Sequence, residues 1–135
     1  MEASIEHLNP EGLHKNPAYS QAVAVTGPVK TVYVGGQNAV DSEGTLIGKD
    51  DLKAQSVRAL RNVEAAVAEA GGRLDNVVKW TVFIVQGQPI PAGFEAFMEV
   101  WPVGAKPPVV TVAIVDGLGN PDFLVEIEAI AVIPS

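Results

Sequence analysis

The sequence predicts an α+β domain in which two helices pack on one face of a mixed β-sheet. Runs of apolar and β-branched residues mark strands within 21–36, 77–85, 109–115 and 123–133. Two other segments, 50–72 and 92–101, carry apolar residues at helical spacing. Two helices can cover only one face of a sheet of five or six strands, so the other face is expected to stay open.

The chain is the size of one ordinary domain. It has 135 residues, 47% of them hydrophobic, which is enough for a sizeable core. No repeat, low-complexity tract or linker divides it, so residues 1–135 are predicted to form a single domain.

The first half of the chain contains two predicted strands and a helix. The segments "QAVAVTG" (21–27) and "VKTVYVGG" (29–36) read as strands joined by a turn at Gly27-Pro28. The stretch 41–48 is a turn with at most one short strand. The first helix can be capped by Asp50 or Asp51 and ended by Gly71-Gly72.

The second half supplies a strand, a helix and two further strands. Strand 77–85 alternates, with one face made of Val78, Trp80, Val82 and Ile84 and the other of Lys79, Thr81 and Phe83. Helix 92–101 places its large apolar residues at i, i+3, i+4 and i+7, namely Phe94, Phe97, Met98 and Trp101. Pro102 is expected to stop this helix.

The last strand carries two carboxylates within an apolar run, "FLVEIEAIAVI" (123–133). Alternation places Glu126 and Glu128 on one face, and Val125, Ile127 and Ala129 on the other. A half-apolar sheet face without a helical cover favours oligomerisation. The two acids are therefore expected on a face that is buried between subunits.

The charge and composition argue against several classes of function. Nine Lys and Arg against 16 Asp and Glu give a net charge of −7, with no basic cluster, so nucleic acid is not an expected partner. No apolar stretch approaches the roughly 20 residues of a membrane span. The polar N-terminus lacks the features of a signal peptide and the chain has no cysteine, so a cytoplasmic location is expected.

Neither a metal nor a cofactor is expected. His7 and His14 are the only two histidines, and no third ligand accompanies them. The segment "GGQN" (35–38) is too short and poorly placed to act as a phosphate-binding loop.

Several motifs together resemble the Rid family, also called YjgF/YER057c/UK114. They are "AYSQAV" (18–23), "VYVGGQ" (32–37), "NVVKWTVFIV" (76–85), "KPPVVTV" (106–112) and "LVEIEAIAV" (124–132). The resemblance implies a chorismate-mutase-like fold and a homotrimer with ligand clefts between subunits. It also implies hydrolysis of a reactive 2-imino or enamine acid to a keto acid and ammonia, although other relatives are described as translation inhibitors or chaperones.

The resemblance fails at one position that matters for the substrate. In deaminating members an arginine after the "KP" pair grips the substrate carboxylate through two parallel hydrogen bonds, a geometry that guanidinium suits. That position is Val109 here. Valine cannot bind a carboxylate, so the usual monocarboxylate substrate loses its anchor. Lys106 or Lys79 could supply a replacement cation, although an exposed position is the simpler expectation for Lys106.

The remaining site residues come from the resemblance. Glu126 matches the glutamate that holds or activates the hydrolytic water, and a partly buried glutamate can also transfer a proton to the leaving nitrogen. Tyr19 matches a cleft tyrosine and Gly36 a turn glycine, while the backbone near Gly36 and Val110 could bind the polar end of a substrate. The structural alternatives are an interface hydrogen bond for Glu126 and simple packing for Tyr19. Arg58 and Arg61 are expected on a solvated helix face.

Three functions remain open. One is a divergent imine or enamine deaminase whose substrate lacks the usual carboxylate or presents it elsewhere. Another is a non-catalytic trimer that binds a small metabolite or regulates a partner after losing the reaction. The third is a structural or chaperone-like trimer without a specific ligand.

Overall fold

A four-stranded mixed sheet carries two helices on one face, which confirms the predicted fold class. The computed structural model describes all of residues 1–135. The elements in chain order are β1 (Ser4–Leu8), β2 (Ala22–Thr26), β3 (Val29–Gln37), α1 (Leu52–Glu69), β4 (Val77–Val85), α2 (Ile90–Val100), β5 (Val109–Val115) and β6 (Val125–Pro134). A short 3-10 turn at Leu74–Asn76 leads from α1 into β4.

The main sheet has the strand order β3-β6-β4-β5. β6 is antiparallel to both of its neighbours, and β4 and β5 run parallel. The expectation of five or six strands in one sheet is wrong, because β2 pairs with β1 in a separate two-stranded sheet. The polar character of the N-terminus conceals β1, "SIEHL", although the burial of this segment alternates as a strand's should.

The helix α1 begins where the sequence indicated. The Asp51 side chain accepts a hydrogen bond from the Ala54 amide at 3.0 Å, which is an ordinary N-cap. The helix ends before Gly71, whose φ of +95° favours glycine. Its buried face combines apolar and polar residues: Leu52, Gln55, Ser56, Ala59, Leu60, Val63 and Val67.

The buried face of α2 agrees only in part with the predicted one. Ala96 and Val100 are buried, whereas Phe94 and Met98 are 53% and 57% exposed. The small residues Gly93 and Ala96 turn toward α1 and the sheet; a Cβ at Gly93 would lie 4.0 Å from Ser56 Oγ. Phe94 and Met98 therefore point outward, whereas Phe97 and Trp101 pack against the core, edge-on to Trp80, as predicted.

The strand β4 contains an irregularity that the sequence did not indicate. Val77 pairs with Ala131 and Lys79 with Ile130, so Val78 is the extra residue of a bulge. Val77 therefore joins the core instead of Val78, while Trp80 and Ile84 lie in the core as predicted. Lys79, Thr81 and Phe83 face the opposite side, the open face of the sheet.

The alternation of β6 agrees with the prediction for its two acids. Val125, Ile127 and Ala129 are buried beneath the helices, while Glu126 is half-buried and Glu128 exposed on the open face. Neither helix of the fold is long and apolar enough to cross a membrane.

Candidate functional site

Glu126 lies on the open face of the sheet beside the loop that follows β3. Its position in β6 opposes Phe83 of β4. The Asn38 side-chain amide donates to Glu126 Oε1 at 3.3 Å and to the Val125 carbonyl at 3.1 Å. Asn38 therefore restrains one carboxylate oxygen by bridging the side chain and the backbone of the same strand.

Gly36 provides the space for this carboxylate. The pairing of β3 with β6 is interrupted between Val34 and Gln37, so Gly35 and Gly36 have no paired residue on β6. A Cβ at Gly36 would lie 2.8 Å from Glu126 Cδ, closer than side chains tolerate, whereas one at Gly35 would meet nothing. Close approach thus explains the glycine at 36, and the structure brings Gly36 and Glu126 together.

The loop that carries Asn38 is tied to α1 by another asparagine. The Asn62 side-chain amide donates to the carbonyls of Asn38 and Val40 at 3.0 and 2.9 Å. Arg58 Nε donates to Asn62 Oδ1 at 3.0 Å and so fixes its orientation. Arg58 is half-buried and positions Asn62, instead of lying on a fully solvated face. Sequence reasoning missed Asn38 and Asn62 in this support; the four-residue spacing of Arg58 and Asn62 is the signal that could have indicated it.

The same loop contains a carboxylate with a lowered pKa. Backbone amides of Thr45 and Glu43 donate to Asp41 and, in that order, hold its pKa below the usual 3.8; the nearby Arg58 charge lowers it further. The ionised Asp41 closes the turn after Val40 and completes the support of the Asn38 loop.

Val109 lies on the open face but far from Glu126 in the same chain. It opposes Lys79 on β4, whereas Glu126 opposes Phe83 on the other side of that strand. Four residues along the strand and two strand spacings across the sheet separate them by roughly 16 Å. One chain alone therefore does not bring the Val109 position and Glu126 to a single small ligand.

Tyr19 and Val110 lie on the opposite side of the sheet. Both line a cavity of about 300 Å³ between the sheet and the helices, where Val110 opposes Trp80. The segment after Tyr19 is fastened to the start of β5, because Ser20 donates its amide to the Pro108 carbonyl and its hydroxyl to the Pro107 carbonyl. The predicted binding residues are thus divided between two faces of the sheet.

The two candidate replacement cations occupy separate places. Lys106 is exposed beside the N-terminal sheet; burial, followed by the Lys106 charge, lowers the pKa of His7 below 6.5. Lys79 lines a shallow depression of about 340 Å³ on the open face with Tyr33, Thr81 and Glu128. No three His, Asp or Glu side chains come together as a metal site requires.

Comparison with known proteins extends over nearly the whole chain. The model of the family described as Endoribonuclease L-PSP matches residues 12–133. A RutC family protein of Pyrococcus abyssi is 35% identical over 113 residues, covering 84% of each chain.

Solved structures agree in both fold and sequence. A protein of the conserved Rid protein family, YyfB from Yersinia pestis, superposes with a TM-score of 0.81 at 30% identity over 94% of this chain and 97% of its own. RidA from a Psychrobacter species gives a TM-score of 0.69 at 33% identity over 85% and 88%. The matched motifs, the fold and these relatives agree, and the chain belongs to the Endoribonuclease L-PSP family, the YjgF or Rid family.

Proposed function

We propose that this protein is a homotrimeric deaminase that hydrolyses a reactive imine or enamine in clefts between its subunits. Its substrate would lack the carboxylate of the usual 2-imino monocarboxylates or would present it elsewhere. The observation that carries the proposal is the environment of Glu126. Asn38 restrains one carboxylate oxygen, and Gly36 leaves room for the carboxylate against the backbone.

The chemistry requires one positioned carboxylate and one water. Glu126 would take a proton from water as the water oxygen bonds to the imine carbon, and the C=N electron pair would move to nitrogen. The same group would then return the proton to nitrogen, which gives a carbinolamine. Glu126 would next carry the hydroxyl proton of this intermediate to the nitrogen, the oxygen electron pair would form the C=O bond, and the C–N bond would break to release ammonia and a carbonyl compound. For an enamine, protonation at carbon would come first. Positioned proton transfer of this kind contributes roughly 10²- to 10⁴-fold to a rate.

Val109 is the basis for proposing an unusual substrate. It offers an apolar surface where the resemblance implies a carboxylate-binding arginine. Lys79 opposes Val109 on the open face and could attract an anion placed farther from the reacting carbon. A larger, neutral or differently charged imine would therefore fit better than 2-aminoacrylate.

The proposed assembly follows from the distribution of these residues. Tyr33 is 78% exposed on the open face, near the exposed Lys79 and Glu128. The separation of Val109 and Glu126 means that a shared cleft would need a second copy of the chain. The resemblance to the Rid family implies a trimer, and burial of this face between three copies would supply the clefts.

Hydrolysis of freshly generated 2-aminoacrylate and 2-iminobutyrate tests the proposal. We expect the wild type to be inert and Val109→Arg to gain ammonia release, because an arginine restores the carboxylate anchor. Adding Glu126→Gln to Val109→Arg should reduce that activity by about a hundredfold or more while the oligomer persists. The matched control is Glu128→Gln, two residues away on the same face.

Other outcomes would contradict specific parts of the proposal. Activity of the wild type on these acids would show that Val109 does not exclude them. Equal activity with and without Glu126→Gln would remove Glu126 from the reaction, and loss of the oligomer in that variant would make its role structural.

A non-catalytic binding protein is the second candidate, and Val109 itself favours it. Loss of the anchoring residue is expected where a fold is kept but its reaction is abandoned. This candidate predicts that Val109→Arg binds a 2-keto acid, the stable product analogue, yet releases no ammonia from either imine.

A further inference from the structure

The cavity between α2 and the sheet has the volume of a small-molecule site. It measures about 300 Å³, at the lower end of the size range of such sites and about twice a cavity that holds benzene. The half-buried side chains of Val82, Val110 and Phe97 line it. Phe94 of α2 and Val112 of β5, which are 53% and 51% exposed, lie at its mouth, so a ligand can enter from solvent.

One wall of this cavity is a turn that the protein holds in place. Asn16, Ala18 and Tyr19 belong to this wall. Asn16 Oδ1 accepts a hydrogen bond from the Ala18 amide at 2.8 Å, and the Ser20 hydroxyl donates to the Pro107 carbonyl at 2.6 Å. These bonds fix Tyr19 beside the start of β5, so the cavity is formed before any ligand arrives.

Gly93 keeps the helix side of the cavity open without a backbone reason for a glycine. It lies inside α2, its φ is not in the left-handed region, and glycine stabilises a helix interior less than alanine does. A Cβ at this position would lie 3.5 Å from Ile84 Cδ1 and 4.0 Å from Ser56 Oγ, which are ordinary contacts. Because an alanine would fit, the missing side chain serves the space in the cavity.

The lining of the cavity favours an uncharged aromatic ligand. The chain has four Phe, two Trp and two Tyr, and four of these eight residues line the cavity, namely Tyr19, Trp80, Phe94 and Phe97. Aromatic rings gain from edge-on and offset contacts with one another in addition to the burial of apolar surface. No lining residue carries a charge at neutral pH, so a charged ligand would lose its hydration without compensation.

We propose that this cavity binds a small uncharged aromatic molecule, made of one ring with a short apolar substituent. Burial of apolar surface supplies most of the affinity, and contacts with the aromatic side chains supply the preference for a ring over a saturated hydrocarbon. Glu126 lies on the opposite face of the sheet, so the site is independent of the proposed deamination. The site also gives Tyr19 and Val110 a common function, since both line this cavity.

Fluorine nuclear magnetic resonance of 4-fluorotoluene mixed with the full chain observes this binding directly. We expect the fluorine signal to shift and broaden as protein is added. The signal of 4-fluorobenzoate, which has the same ring but carries a charge, should stay unchanged. Toluene should displace the probe at a concentration about two- to tenfold lower than methylcyclohexane, which has a similar shape but no aromatic ring.

Two substitutions that narrow the cavity should weaken binding of the probe by about tenfold or more. Val112→Trp would cover the mouth, and Gly93→Leu would fill the interior from α2. Ile114→Trp is the matched control, because Ile114 is 53% exposed on the same face of β5 but does not line the cavity. This control should bind the probe as the wild type does.

Gly93→Ala tests the role assigned to the glycine. The thermal midpoint of unfolding should rise by a few degrees, because alanine favours the helix and its methyl group meets only ordinary contacts. A lower midpoint would show that packing requires the glycine, and the space at Gly93 would then have no connection with a ligand.

The same titrations define what would overturn the inference. An unchanged 4-fluorotoluene signal up to the solubility limit of the probe would remove the site. Binding of 4-fluorobenzoate, or equal displacement by toluene and methylcyclohexane, would remove the proposed class of ligand. Equal weakening by Val112→Trp and Ile114→Trp, with Gly93→Leu binding as the wild type does, would place the probe outside the cavity. Loss of binding in Glu126→Gln would place it on the open face of the sheet.

Discussion

At the scale of single residues, Gly36 and Glu126 depend on each other. The carboxylate lies where a side chain at position 36 would be, and Asn38 restrains it from the other side. The resemblance that identified both residues implied that they belong to one site. Their mutual spacing, however, follows from the interrupted pairing between β3 and β6.

Gly36→Ala should therefore displace the Glu126 carboxylate. We expect a loss of unfolding free energy of about 1 kcal/mol, because the added methyl group would push the half-buried Glu126 side chain aside and break its hydrogen bond from Asn38. Urea denaturation followed by circular dichroism would measure it. The neighbouring Gly35→Ala is the control and should change stability by less than about 0.5 kcal/mol, since its Cβ would meet no atom within 4 Å. Equal effects of the two variants would contradict the proposed close approach.

His7 should make the stability of the protein depend on pH. Burial, followed by the Lys106 charge, lowers its pKa in the folded state, so the unfolded chain binds a proton first as the pH falls. The contribution of His7 to stability is thus fully present above the usual pKa of 6.5 and is lost as the pH falls from there through the folded-state pKa.

We expect His7→Gln to weaken that pH dependence of the unfolding free energy. His14→Gln is the matched control, because His14 is exposed in the loop after β1 and the chain has no other histidine. Denaturation midpoints across this pH interval provide the measurement. A slope that changes equally in the two variants would assign the effect to something other than the environment of His7.

At the scale of elements, α1 does more than cover the sheet. Arg58 and Asn62 lie on one face of this helix, and Asn62 is hydrogen-bonded to the loop at 38–40. The buried Gln55 is hydrogen-bonded to two other segments. Gln55 donates to the Gly48 and Asp122 carbonyls and accepts from the Leu124 amide. Hydrogen bonds from one helix thus position both the Asn38 loop and the entry to β6.

Asn62→Ala should loosen the loop that restrains Glu126. Two half-buried carbonyls would lose their donor, so we expect a loss of about 1–3 kcal/mol in unfolding free energy, from two hydrogen bonds of about 0.5–1.5 kcal/mol each. Faster amide hydrogen exchange at 38–41 would report the local effect. Arg61→Ala, at the position next to Asn62, is the control. It breaks an exposed ion pair with Glu64 and should cost less than about 1 kcal/mol. Unchanged exchange at 38–41 in Asn62→Ala would contradict the positioning role.

At the scale of the whole molecule, the open face of the sheet and the separation of Val109 from Glu126 are the two features that a trimer would explain. A trimer of the 14.1 kDa chain would sediment as a particle of about 42 kDa. In such a trimer the Val109 position of one chain and Glu126 of another would share each cleft.

Mixed trimers should reveal this sharing. A chain carrying both Val109→Arg and Glu126→Gln has the arginine anchor but lacks the carboxylate. The wild type has the Glu126 carboxylate but lacks the anchor. Neither should release ammonia from 2-iminobutyrate alone, whereas co-refolded mixtures should be active because some clefts combine the variant's introduced arginine with Glu126 of the wild type. Inactive mixtures of proven mixed composition, with Val109→Arg itself active, would mean that both groups act from one chain.

Much of the fold and part of the site could be predicted from the sequence by itself. The fold class, the helix cap at Asp51 and the outward placement of Glu126 and Glu128 follow from short-range rules, since alternation and capping depend only on neighbours along the chain. The family followed from motifs that extend over nearly all of the chain.

Only the tertiary structure decided which of these residues meet. The bulge at Val78, the pairing of β2 with β1 and the outward turn of Phe94 depend on partners far away in sequence. The same is true of Asn38 and Asn62 around Glu126, and of Tyr19 and Phe94 around one cavity. Local pattern determines the face of an element on which a side chain lies, whereas packing between elements determines what it contacts.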